Sequence, residues 1–241
     1  MVITVILILL LTMVCSFIGT VSGFGISTTM IPILTMVLPL PQVLLFVGVV
    51  HWFNDVWRLV LFRAGLNWRL CVLFGIPGIM LSFVGASLLF LVDTSILIRA
   101  LGFFIAVYVA FLFRKPSFKI PALPLTAIMG GGLSGFFAGI FGMGGIVRTV
   151  FLTAFDLPKE VYLTTGAVIA LIVDSTRLVN YVVEEVRLEV WLLWTLFVAI
   201  FLSLVAARIA KVVVDKIPQE KFRLVVGLFL FLVALKLLIM P

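Results

Sequence analysis

The chain has 241 residues, of which 64% are hydrophobic and 11% charged, with a formal net charge of +7. A soluble domain carries about 25% charged residues, so a water-exposed surface cannot be built around this much apolar sequence. The basic residues sit in short clusters between apolar runs, which excludes nucleic acid as a partner and matches cytoplasmic loops beside membrane spans.

The run from Met1 to Val50 has no charged side chain. It lacks the basic start of a signal peptide and continues too far, so it reads as a first membrane helix with further membrane segments behind it. Further uncharged runs are Leu70 to Val92, Ile120 to Val147 and Val190 to Ala207. A span needs roughly 20 apolar residues, and an open chain can satisfy its backbone in lipid only as helix. Ten apolar segments are expected, near 1–19, 26–39, 42–62, 70–92, 95–113, 121–140, 146–157, 160–182, 189–210 and 222–240. Gly19 to Gly25, Pro39 and Pro41, Pro116 to Pro124, Gly142 to Gly145 and Pro218 interrupt them. Cys15 and Cys71 lie in or beside apolar runs and imply neither a disulfide framework nor a metal spacing.

The segments repeat. A shift of 119 residues places Gly23 and Gly25 on Gly142 and Gly144, Pro39 on Pro158, Asp55 on Asp174, and Arg58 on Arg177. The loop charges then differ between the halves. Loop 63–69 carries Arg63 and Arg69 without an acid, whereas 182–189 carries Glu184, Glu185 and Glu189 against Arg187. The later loop of the second half, 208–223, is the basic one, with Arg208, Lys211, Lys216, Lys221 and Arg223 against Asp215 and Glu220. Lys and Arg favour the cytoplasm, so the halves are expected to lie antiparallel. The expected fold is an all-α, polytopic membrane protein of two inverted-topology repeats. Each has about five helical segments, with short Gly-broken helices at the centre. The first repeat is 1–113, a basic cytoplasmic linker covers 114–120, and the second repeat is 121–241. Each half crosses an odd number of times, as five crossings or as three plus a re-entrant hairpin, and both termini face outward.

Inverted repeats are a transporter pattern, with binding sites where paired short or Gly-broken helices meet. Segments 26–39 and 146–157 are too short to span, and each comes after a Gly break: Gly23 and Gly25 in one half, Gly142, Gly144 and Gly145 in the other. A helix that starts at such a break presents free N–H groups and a partial positive charge. Two such ends make a cradle for an anion, to which Ser27, Thr28 and Thr29 add hydroxyls and Arg148 a full charge. Close helix packing through glycine is the alternative reading of either motif taken singly.

Charges within apolar surroundings are costly unless paired or wet. Asp55 and Arg58 share a helical face, as do Asp174 and Arg177. Each is either a self-neutralised structural pair or an arginine offered to an anion beside an aspartate that moves protons. Arg148 has no acid at helical spacing on its own short segment and is the leading substrate contact. His51, four residues before Asp55, has Ala170 at its equivalent position; a packed, hydrogen-bonded imidazole is the simpler reading of it, and it stands among the candidate substrate groups. There is no Walker A sequence, no His-Glu-x-x-His and no Ser-His-Asp set, so no enzyme chemistry is expected. No cofactor is expected either, and the His, Cys and carboxylate content is too thin for a transition-metal carrier.

At these residues the chain resembles the TauE/SafE family of sulfite and organosulfonate exporters. The stretch Gly132 to Gly145 (GLSGFFAGIFGMGG) is similar to the family's second-half signature, and Leu157-Pro158-Lys159-Glu160 with Thr164-Thr165 to the stretch after it; Phe17 to Pro32 matches more loosely. The family's three-glycine run stands here as Gly25-Ile26-Ser27 and Gly144-Gly145-Ile146, and its short-helix proline is Pro32 in one half but Phe151 in the other. The resemblance implies transport, mostly export, of sulfite, sulfoacetate or related sulfonates across the cytoplasmic (inner) membrane. The partners expected are a small anion and the lipid bilayer, with a homodimer left open. The alternatives are a non-transporting binding or assembly protein of the membrane, and a cation- or proton-coupled carrier using Asp55 and Asp174.

Overall fold

The computed structural model describes residues 2–63, 65–91, 120–218 and 221. All regular structure among them is helical: α1 (Val2–Ser22), α2 (Ser27–Leu34), α3 (Leu40–Phe62), α4 (Trp68–Leu91), α5 (Pro124–Phe141), α6 (Gly144–Leu152) with a short 3-10 turn (Thr153–Phe155), α7 (Lys159–Val183) and α8 (Val190–Lys216). Six of these, all but α2 and α6, are long and apolar enough to cross a membrane. The segments expected near 95–113 and 222–240 lie outside the described residues, as does most of the linker.

The element boundaries repeat at the 119-residue shift. Pro39 precedes α3 and Pro158 precedes α7, each fixing the backbone before a helix start. The last pair slips by two residues: the buried face of α4, with Gly78, Ser82, Gly85 and Ala86, recurs on α8 as Ala199, Ser203, Ala206 and Ala207, an offset of 121. α7, at 25 residues against 23 for α3, takes up the difference by running on past the equivalent end.

Each short helix folds back on the helix before it. In the first half Gly19 lies against Gly25, and the Thr12 hydroxyl reaches Met30 Sδ at 4.0 Å. In the second half Gly144 lies against Ser134 and Ala138, and Gly130 against Phe151. Early residues of one leg thus meet late residues of the other, so α1–α2 and α5–α6 are antiparallel helical hairpins whose tips are the glycine breaks. Gly23, Gly25 and Gly142 have φ of 83°, 88° and 67°, a region L side chains rarely adopt, which is why glycine holds these turns. Gly142 also closes α5, its N–H and that of Met143 bonding back to Ala138 and Phe137 carbonyls at 2.9 and 3.3 Å.

The two sequence halves are interleaved. α4 packs along α5 on a seam of small residues, with Gly131, Gly135 and Gly139 meeting the backbone of Phe74, Gly78 and Ser82. This spacing of four lets two backbones approach closely, and without a hydrophobic drive between helices in lipid such van der Waals contact stabilises the pair. α1 packs on α8 in the reciprocal way, and Thr12, Ser16 and Thr20, the equivalents of those three glycines, are buried, with Thr12 beside Met30 of α2 and Thr20 bonded to Asn54 of α3. At the centre α3 and α7, equivalent helices, run antiparallel: Trp52 Nε1, near the middle of α3, donates to Ser175 Oγ at 2.9 Å, and the Asn67 backbone N–H, beyond the end of α3, donates to Thr165 Oγ1 near the start of α7 at 3.1 Å.

Candidate functional site

The hairpin tips meet. Gly145, on the first turn of α6, lies so close to the Phe24 carbonyl that a Cβ at Gly145 would occupy the same place. The two helix starts are therefore neighbours, as the paired breaks suggested. The glycines of the Gly132–Gly145 signature divide their work: Gly135 and Gly139, with Gly131 before them, serve the α4 seam, while Gly142, Gly144 and Gly145 form the tip. Gly132 meets the flexible end of Leu81 and, at 3.9 Å, the side chain of Pro77. Packing through glycine and a built break occur in one stretch.

Facing the tips is a buried polar layer carried by α3 and α7. Asp55 Oδ1 lies 2.6 Å from Arg58 Nη1, and Asp174 Oδ1 lies 2.7 Å from Arg177 Nε, all four side chains at most 4% exposed. Each Asp-x-x-Arg pair is thus closed within its own helix, as the three-residue spacing implied. The layer is also stitched across the halves. Arg58 Nη2 donates to the Leu163 carbonyl of α7 at 2.8 Å. His51 Nδ1 lies 2.8 Å from Asp174 Oδ2, and its Nε2 lies 3.3 Å from Asp55 Oδ2. Ser27 Oγ, heading α2, is 3.1 Å from the same Nδ1. The imidazole rests on the first tip, where a Cβ at Gly25 would overlap it. His51 is packed and hydrogen-bonded to Ser27 Oγ at the start of α2, while its Nε2, Asp55 Oδ2 and Asp174 Oδ2 are close charge contacts without hydrogen-bond partners.

Arg148 stands apart. It is buried at 4% exposure, makes no ion pair among the described residues, and leaves its Nη2 without a hydrogen-bond partner. Its Nε and Arg58 Nη2 flank one point on α7: a methyl added at Gly166 would sit 4.0 Å from each. Val47 takes the equivalent place in the first half, so the glycine opens room beside two guanidinium groups on one side only. Other buried donors without a hydrogen-bond partner among the described residues include Arg58 Nε, both Arg177 Nη atoms, Thr28 Oγ1 and Thr149 Oγ1. Arg177 reaches the second tip, its Nη1 lying 3.2 Å from where a Cβ at Gly142 would stand. Thr29 does not join them: it is only half-buried, and its hydroxyl bonds the Ile26 carbonyl at 3.2 Å.

The buried formal charges among the described residues are Arg58, Arg148 and Arg177 against Asp55 and Asp174. One positive charge is left uncompensated when His51 is neutral. An isolated charge in a low-dielectric interior costs several kcal/mol, so a bound anion would offset what the protein leaves open. A family model described as sulfite exporter TauE/SafE matches residues 8–237. The chain belongs to the TauE/SafE family. It is accordingly a multi-pass membrane protein of a transporter family and not an enzyme, working in a lipid bilayer on a small anion. No curated protein and no solved structure matches the chain.

Three contributors to this layer carry no mark in the motifs. Tyr162 lies over Gly23, its ring filling the place a Cβ there would take. Leu163 contributes a carbonyl, and Gly166 contributes space. Tyr162 and Gly166 are four apart on α7, so a polar aromatic and a glycine on one helical face were the available signal.

Proposed function

We propose that this chain is a secondary transporter that exports a small sulfur oxyanion, such as sulfite, sulfoacetate or another organosulfonate, across the cytoplasmic membrane. The observation that carries the reading is Arg148, a buried guanidinium with no ion pair among the described residues, beside Arg58 and next to two touching helix starts. Helix starts and guanidinium groups both favour negative charge. The bound anion lies among Arg148, Arg58, Thr28 and Ser27, and the three-oxygen face of a sulfite or sulfonate suits several convergent donors.

In this reading the halves are inverted repeats, and the two hairpins are re-entrant from opposite faces of the membrane. Their tip-to-tip contact at Phe24 and Gly145 closes the path, and opening either side of it gives alternating access. The antiparallel α3 and α7, and the reciprocal packing of α1 with α8 and α4 with α5, support this arrangement. An interior-negative potential favours exit by about 2.3 kcal/mol per charge per 100 mV, which suffices to drive export of an anion.

The test is flux from proteoliposomes loaded with sulfite, sulfoacetate or methanesulfonate. The intact chain releases at least one of them, and Arg148→Ala lowers that rate at least a hundredfold. Absence of flux for every anion, or full flux in the variant, overturns the reading.

A further inference from the structure

The repeat is symmetric in its aspartates and arginines but not at one position, where His51 faces the equivalent Ala170. That single imidazole touches both halves, with Asp55 of α3 at 3.3 Å from one ring nitrogen and Asp174 of α7 at 2.8 Å from the other. A neutral imidazole has one N–H and one lone pair. It can donate to one carboxylate, but its lone pair then confronts the other. Only the doubly protonated ring is attracted to both, and Nε2, Asp55 Oδ2 and Asp174 Oδ2 all lack a hydrogen-bond partner as the side chains stand. Ser27 Oγ, 3.1 Å from Nδ1, can accept from the same N–H and connects the ring to the start of α2.

The other groups around the ring are fixed. Arg58 and Arg177 hold the far oxygens of the two carboxylates. Arg148 enters from α6 and Tyr162, over Gly23, from α7. α1 has no charged residue and contributes the Thr20 hydroxyl paired to Asn54. The charged residues of α8, from Arg208 to Lys216, all lie towards its C-terminal end. A cation among these carboxylates would add charge to a layer that is already net positive. A proton on His51 does so as well, raising the excess from one to two, and a bound dianion balances that excess.

We infer that His51 is the proton-binding group of the site and that its protonation and anion occupancy are linked, each raising the affinity for the other. The inference rests on the anion-transport reading above. Linkage is reciprocal: if the anion tightens the proton, the proton tightens the anion by the same factor.

His51 is the only histidine in the chain, so the full-length protein labelled with 15N-histidine gives one imidazole to titrate. The probe is sulfoacetate, whose charge is constant near neutral pH. Saturating sulfoacetate should raise the His51 titration midpoint by at least one pH unit, a tenfold gain in proton affinity. Sulfoacetate affinity of the wild type should fall by the same factor as pH rises through the midpoints, and His51→Gln should bind it with weaker, pH-independent affinity. Sulfoacetate that binds without moving the midpoint overturns this inference and leaves the anion reading intact. A midpoint that falls on adding sodium, in place of rising with sulfoacetate, overturns it in favour of a cation site. If sulfite, sulfoacetate and methanesulfonate all fail to bind the wild type, the anion reading falls and this inference with it.

Discussion

The carbonyl of Phe24 stands where a side chain on Gly145 would have to begin. The two hairpin tips touch there with nothing but backbone between them. Gly145→Ala must push the tips apart, and overpacking of this kind costs about 1–3 kcal/mol. Gly166→Ala is the control, since its added methyl meets neighbours at 3.5 Å or more. Thermal unfolding in detergent should show a clear loss for the first and almost none for the second. Equal losses would mean that the tips can yield.

Arg148 separates stability from function. Replacing an uncompensated buried charge by an apolar group is commonly neutral or stabilising by about 1–4 kcal/mol. Arg148→Ala should therefore melt at or above the wild-type temperature without anion, and gain nothing when sulfite is added. A large drop in melting temperature would assign Arg148 a structural role.

The ion pairs should behave in the opposite way. Arg177→Ala leaves Asp174 buried with His51 alone, and breaking a buried pair from one side costs about 3–5 kcal/mol. Asp174→Ala with Arg177→Ala removes both charges and should recover most of that loss. A double-mutant cycle from denaturant unfolding measures the coupling; additivity of the two single changes would show that the pair contributes nothing.

Charge placement predicts sidedness. A cysteine at Asn67, in the basic loop after α3, should be labelled only from the cytoplasmic side, and one at Val186, in the acidic loop after α7, only from outside. Labelling of both from one face would show that the two halves cross the membrane in the same sense.

Lys159 ties the start of α7 to the end of α8. Its Nζ donates to the carbonyls of Val214 at 3.0 Å and Ile217 at 2.8 Å, a cation at a helix C-terminus. Such an interaction is worth about 0.3–1 kcal/mol and up to ~2 when partly buried. Lys159→Met should leave the melting temperature nearly unchanged and raise amide exchange in the last turn of α8; unchanged exchange would show that the turn is held by packing.

Much of this site was legible in the sequence because rare residues in an apolar chain stand out. Asp55 with Arg58, Asp174 with Arg177 and the paired glycine breaks all obey local spacing, and local spacing survives folding. The link from His51 to Asp174 was not legible, because it depends on α3 and α7 lying antiparallel side by side. Nor was the division of labour within Gly132 to Gly145, since a seam glycine and a tip glycine differ only in what approaches them. Thr29 reads like Thr28 on paper; the difference is that its hydroxyl returns to its own backbone at Ile26. The two-residue slip between α4 and α8 hides at the end of α7, which runs two residues past the equivalent end of α3.

The glycine seam of α4 and α5 joins a helix of the first half to a helix of the second, and α1 with α8 does the reverse. Each half therefore supplies half of two joints and completes neither. A fragment ending in the 114–120 linker would carry a close-packing surface with no mate in the same piece, and on the inverted-repeat reading it would find one only in a second half-chain inserted the other way up. On that reading the full chain settles this by covalent connection, with both orientations present in one molecule.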